Sequence, residues 1–189
     1  DRSVSRGLGD VYKRQQLVFS AAALALASVA SIIKPFSLPM GGSITLFSML
    51  FVVLIGYWYG PYIGITAAVA YGLLQFAMEP YFYSIPQFFT DYPLSFGALG
   101  LSGFFWNKKN GLVKGYIIGV LGRYFFAFLS GLIFFASYAE GSGMAAPVYS
   151  LVYNASYILT EAVITLIIIA LPPVANALKR IKLLAQEKN

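Results

Sequence analysis

Two ionisable side chains, Arg123 and Glu161, stand inside long apolar runs of this chain. On insertion scales each costs roughly 2.5 to 3.5 kcal/mol at the centre of a bilayer, so each needs a partner or a task. At a rise of 1.5 Å per residue they lie about 12 and about 15 Å from the same membrane surface, close enough in depth to pair if their helices face each other. The arrangement has two readings: a structural intramembrane ion pair, or a relay for protons or ions. Around Glu161, the residues Ser150, Asn154, Tyr157 and Thr165 recur at steps of three or four and so share one helical face. A polar stripe on a membrane helix must look inward, either to hydrogen-bond with other helices or, in its outer half, to line a cavity. Asn154, with Tyr149 and Tyr153 nearby, is the cavity candidate.

A second constellation is EPYFYSIPQFFTDY, from Glu79 to Tyr92, dense in Tyr and Phe, with two carboxylates and no basic residue. One reading is an interfacial aromatic belt. The other is an aromatic cage with Asp91 as counter-charge, suited to a flat cation, because ring faces and a carboxylate both attract positive charge. Other chemistries are excluded. The chain has no cysteine and no histidine, which leaves no disulfide framework and no ordinary zinc or haem ligation. It has no G-x-x-x-x-G-K-[ST] loop to cradle a nucleotide phosphate. No nucleophile and base stand together, so neither a catalytic centre nor a cofactor or metal site is expected.

The elements that must position these groups are membrane helices. Hydrophobic residues make up 59% of the 189 and charged ones 11%, too few charges to cover a soluble domain. The apolar windows predict an all-α integral membrane protein with six spans: Gln16 to Ile33, Ser43 to Tyr59, Pro61 to Met78, Tyr92 to Trp106, Gly115 to Tyr138 and Val148 to Leu171. Several are short for a ~30 Å hydrocarbon core and require interfacial extension or local thinning of the bilayer. Pro35, Pro39, Gly41 and Gly42 break the first connection, Gly60 and Pro61 the second, Pro80 and Pro86 the third. In the fourth span Gly97, Gly100 and Gly103 leave room for close packing. Residues 1–15, DRSVSRGLGDVYKRQ, start without methionine, resemble a translated adaptor sequence and are read as a non-native polar tail. The membrane domain then covers 16–182, and 183–189 form a C-terminal tail.

The net charge of +6 would suggest nucleic acid in a soluble protein. Here the basic residues sit at the ends of apolar runs and read as topology signals, with no nucleic-acid partner. Lys108, Lys109 and Lys114 lie between spans four and five, and Lys179, Arg180, Lys182 and Lys188 follow span six. By the positive-inside rule both termini face the cytoplasm. In span one, Ala23, Ala27 and Ser31 recur every four residues, and Ala21 and Ala25 form a second row. Such faces serve either internal packing or docking of another membrane subunit.

Four segments together carry a family resemblance: LPMGGSITLFSM (Leu38 to Met49), QFFTDYPLSFGALGLSGFF (Gln87 to Phe105), GRYFFAFLSGLIFFASYA (Gly122 to Ala139) and YSLVYNASY (Tyr149 to Tyr157). From about Leu17 to Lys182 the chain resembles the thiamine-specific substrate-binding (S) components of the energy-coupling factor (ECF) vitamin transporters. The resemblance implies a six-helix bundle in a bacterial cytoplasmic membrane, binding thiamine near the outer face beneath the loop between spans one and two. It places Asp91 opposite the thiazolium, with Tyr92 beside it, and adds Tyr81, Tyr149, Asn154 and Phe135 as ligand contacts. Ala23 and Ala27 become the docking motif for the transmembrane coupling subunit, which works with two ATP-binding subunits. The chain would then not be an enzyme.

Two positions depart from the pattern. Ala127 stands where many relatives have histidine, and Phe135 where some have tryptophan, which points to weaker thiamine binding or to a related pyrimidine or thiazole ligand. Two other classes compete. An intramembrane enzyme would use Arg123 and Glu161 as its polar centre. A stand-alone channel or transporter would show inverted repeats or helices broken at the midplane, and the sequence shows neither.

Overall fold

The computed structural model describes residues 2–187, with the side chains of 12–187. Residues 1, 188 and 189 and the side chains of 2–11, which belong to the two expected tails, lie outside the described residues. The chain is built almost entirely of helices. Among the described residues four are long and apolar enough to cross a membrane: Tyr12–Ile32 within α1 (Arg2–Ile32), α3 (Pro61–Met78), α6 (Gly111–Phe134) and the composite Ala146–Ala170. Between α1 and α3 lies α2 (Ser48–Tyr59), apolar but only 12 residues long. The composite consists of α7 (Ala146–Asn154), a π-helical turn (Ala155–Leu159) and α8 (Thr160–Ala170).

The expected fourth span departs most from a regular helix. It begins earlier than Tyr92, as α4 (Ile85–Phe89), because Ser84 caps the helix by accepting from Gln87 N at 3.3 Å and Pro86 sits in the first turn. Proline there gives up only an amide that the helix would leave unpaired, so Pro86 starts an element instead of breaking one. A π-helical turn comes next, over Thr90–Leu94. It contains Pro93, which cannot donate to the ladder and would clash with a carbonyl one turn back in an α-helix. A short α5 (Ser95–Gly97) leads into eight residues of 3₁₀-helix, Ala98–Phe105.

That 3₁₀ stretch explains the glycine spacing. With three residues per turn, Gly97, Gly100 and Gly103 line up on one edge. A Cβ at Gly100 would strike the backbone of Gly64 and Ile65, and one at Gly103 the backbone of Gly60 and Pro61. Backbone therefore lies on backbone along α3. The opposite side is approached somewhat less closely by Gly115 and Gly119 of α6, and Ser102 Oγ donates to Val53 O of α2 at 2.9 Å. A 3₁₀ rise of about 2.0 Å per residue also lets a short segment reach further than an α-helix would.

In the first connection the expected span-two start at Ser43 is replaced by a small antiparallel pair, β1 (Phe36–Ser37) with β2 (Ser43–Ile44), and α2 begins at Ser48. At the other end, α9 (Pro172–Gln186) succeeds α8 directly and runs across the expected tail boundary at residue 183. It packs on α2 and α1. Tyr59 Oη donates to Ala185 O at 3.0 Å, Gln186 to Trp58 O, and Lys182 donates to Trp106 O while lying 3.9 Å from the Tyr57 ring. Burial pulls the Lys182 ammonium pKa below its usual value.

Ala23 and Ala27, the expected docking residues, are 3% and 0% exposed, and Ala27 O accepts from Tyr71 Oη of α3 at 3.1 Å, so they let α1 close onto its own bundle. Ala21, Ala22 and Ala25 are the small residues of α1 that remain exposed.

Gly100→Val should cost at least about 3 kcal/mol, since a branched side chain would force two backbones apart. A thermal melt in detergent against wild type reads this as a drop in Tm, with Gly141→Val, at a position with open space, as the control for a strained but uncrowded glycine.

Candidate ligand-binding site

The residues singled out from sequence converge. Tyr81, Asp91, Tyr92, Phe135, Tyr149 and Asn154 all line one cavity of about 440 Å³. They come from separate elements: the α3–α4 connection, the π turn containing Pro93, the end of α6 and helix α7. The loop between α1 and α2 contributes Met40 and Gly41, and α6 contributes Ala127 and Ser130. Among the described lining residues, Asp91 is the one with a charge.

Asp91 is held by Gln87, a residue not singled out from sequence. Gln87 is fully buried one turn earlier and donates from Nε2 to Asp91 Oδ2 at 2.5 Å. The same amide reaches Tyr81 O at 3.4 Å, and its Oε1 accepts from Tyr83 N at 2.9 Å. One side chain thus ties the aromatic connection to the carboxylate. The sequence signal for it is the Gln-x-x-x-Asp spacing, which puts the two on one helical face. Ser130 Oγ, buried near Asp91, makes no close hydrogen bond among the described residues.

The rings support one another. Phe135 packs 5.7 Å from Tyr81, 6.1 Å from Tyr83 and 6.0 Å from Tyr138, and Tyr149 stacks on Tyr153 at 6.2 Å with planes 3° apart. Tyr92 turns its ring to the cavity while its hydroxyl accepts from Tyr81 N at 3.1 Å and donates to Glu79 O at 3.2 Å, pinning the connection. Asn154 is 3% exposed. Its Nδ2 donates to Ser150 O at 2.9 Å and Ala127 O at 3.2 Å, and its Oδ1 accepts from Tyr157 Oη at 2.9 Å. The polar stripe of the last span does both things open to it: Ser150, Asn154 and Tyr157 line the cavity, and Thr165 Oγ1 bonds to Glu161 O at 2.7 Å.

The expected Arg123–Glu161 pair does not form. Among the described residues the ion pair within reach is Lys34–Glu79, at 2.6 Å. The Arg123 guanidinium lies 4.3 Å from the Phe96 ring centre and lines a second cavity of about 580 Å³, which shares Tyr81, Tyr92, Tyr153 and Tyr157 with the first. Glu161 Oε2 instead accepts from Thr45 N at 2.9 Å and Thr45 Oγ1 at 2.7 Å. Similar depth on two helices did not bring the charges together, because the first connection folds inward and supplies better-placed donors.

The family model described as Thiamine transporter protein (Thia_YuaJ) matches residues 17–181. The chain belongs to this family. Membership makes it a transporter-family membrane protein and not an enzyme. Among curated relatives, the thiamine transporter ThiT of Bacillus subtilis (strain 168) is 33% identical over 168 residues, covering 82% of this chain and 85% of that protein. ThiT of Lacticaseibacillus paracasei is 29% identical over 96 residues, or 44% of this chain and 47% of that one. A solved structure of ThiT from Listeria monocytogenes superposes with a TM-score of 0.63 at 24% identity, covering 86% of this chain and 95% of that one, so the two share a fold.

Since Gln87 holds the Asp91 carboxylate, Gln87→Leu should leave Asp91 free to turn and the connection loose. We expect a loss of ligand affinity of about tenfold, as for one hydrogen bond to a charged group. A binding titration with folding checked by circular dichroism measures it, and Gln87→Glu, which loses the Nε2 donor and sets a second carboxylate against Asp91, should lower affinity at least as much.

Proposed function

We propose that this protein is the thiamine-binding S component of an ECF vitamin importer. The observation that carries the reading is the cavity wall, in which one carboxylate, Asp91, stands among Tyr81, Tyr92, Phe135 and Tyr149, in a chain of the thiamine transporter family. A thiazolium is a flat cation. Ring faces attract it by up to about 2 kcal/mol per desolvated contact, and Asp91 supplies the opposite charge. Asn154 and Tyr149, which also line the cavity, supply the polar contacts, and Met40 and Gly41 of the first connection border it.

The transport cycle in this reading needs partners. The chain has no P-loop, so ATP is hydrolysed by two ATP-binding subunits, reached through a transmembrane coupling subunit. Six spans with both termini in the cytoplasm fit the basic residues at Lys108, Lys109, Lys114, Lys179 and Arg180. With Ala23 and Ala27 buried, the coupling subunit docks on the exposed face of α1 at Ala21 and Ala25.

Calorimetric titration of the detergent-purified protein with thiamine tests the ligand. Wild type binds saturably, and Asp91→Asn loses roughly 10²-fold in affinity, the scale of a hydrogen bond to a buried charge. A folded preparation that ignores thiamine would sink the assignment. A screen of pyrimidine and thiazole compounds would then be the next step, since Ala127 and Phe135 both line the cavity.

The docking face has its own check. Ala25→Trp should abolish uptake in cells and co-purification with the coupling complex while thiamine titrates as in wild type. Equal loss of binding and uptake would argue that Ala25 supports the fold instead.

A further inference from the structure

We propose that Glu161 is a positioning residue of the ligand site, whose buried carboxylate latches the loop between α1 and α2 over the cavity. The proposal rests on the reading of that cavity as the thiamine site.

The loop has little of its own to hold it in place. Its β1–β2 pair matches only Phe36 with Ile44 and Ser37 with Ser43, and an isolated hairpin is marginal in water even when longer. The turn is closed by Leu38 N to Gly42 O at 2.8 Å and Gly41 N to Leu38 O at 2.9 Å, and its tip, Met40 and Gly41, lines the cavity. Its ends are tied by the Lys34–Glu79 ion pair at 2.6 Å and by Leu46 N donating to Ala30 O at 3.2 Å, and two further contacts join it to the last span. Gly42 lies against the Tyr157 ring so closely that a Cβ there would come within 2.6 Å of it. Immediately after β2, Thr45 donates twice to Glu161 Oε2.

Glu161 is 4% exposed, and its Oε1 has no partner among the described residues. Arg123 is occupied by the face of Phe96. The charge is balanced by the two Thr45 donors and by the positive end of α2, whose first residue, Ser48, bonds to Thr45 Oγ1 at 2.7 Å. Lifting the loop would take both Thr45 donors from a buried carboxylate, which favours the closed position. Glu161 therefore converts the cost of its own burial into closure of the loop. Because Tyr157 also bonds to Asn154, the latch and the cavity wall share one helix.

The test reads the loop directly. The chain has no cysteine, so Ser37→Cys and Ala145→Cys, both at exposed positions, take a single pair of spin labels. In Glu161→Ala we expect the distance distribution of the ligand-free protein to broaden and lengthen. Thiamine dissociation should rise at least about tenfold, with association within about threefold of wild type. Glu161→Gln, which keeps an acceptor oxygen for Thr45 but removes the charge, should recover part of both readouts, falling between wild type and Glu161→Ala. Thr45→Val, which removes one donor without altering a buried charge, should shift them the same way as Glu161→Ala and carries the test if that variant fails to fold. Unchanged distances and dissociation in Glu161→Ala and Thr45→Val would overturn the proposal. If the labelled wild type does not bind thiamine, the functional reading falls while the distances still judge the latch.

Discussion

Backbone can lie against backbone only where side chains are missing, and in this bundle that condition is met most extensively along one segment. Ala98–Phe105 is approached by Gly60 and Gly64 from α3 and by Gly115 and Gly119 from α6, and its Ser102 bonds to α2. Dispersion grows as atoms approach, and in lipid there is no hydrophobic force to hold helices together, so this contact contributes much of the cohesion of the bundle. The cavity hangs from it. The 3₁₀ segment follows, through α5, the π turn that presents Asp91 and Tyr92, and α6 ends at Phe135 on the same cavity.

The site joins elements that are far apart in sequence through a few buried polar side chains. Gln87 binds the aromatic connection to Asp91. Asn154 binds α7 to α6 and to Tyr157, and Glu161 binds α8 to the first connection. Each of the two π turns adjoins one of these groups. An extra residue in a helical turn rotates the remainder of the helix, which re-aims side chains that a regular ladder would send elsewhere.

Much of this is legible in the sequence. The bounds of α3 are those read from hydropathy, because Gly60 and Pro61 punctuate its start and Pro80 its end. The inward stripe of the last span holds because a polar row in lipid has no alternative. The six cavity residues come from aromatic density and from the family motifs together. What is not legible depends on three-dimensional approach. Nothing in the spacing of Arg123 and Glu161 says that Thr45 reaches the carboxylate first. Ala23 and Ala27 have the right pattern for a docking face, but pattern does not distinguish the inside of a helix from the outside. Glycines at steps of three announce close packing, yet the same spacing does not by itself declare a helix of three residues per turn. Gln87 is a neutral side chain in an aromatic run, and its importance lies wholly in partners that only the fold brings to it.

The rings of the cavity wall are braced by one another and by the backbone: Tyr149 on Tyr153, Phe135 among three tyrosines, Tyr92 through its hydroxyl. Such side chains have few rotamers left to lose. A ligand that enters between them meets an ordered surface and gives up mainly its own freedom, so the entropy of arranging the cage is spent once, in folding, and not again at each capture.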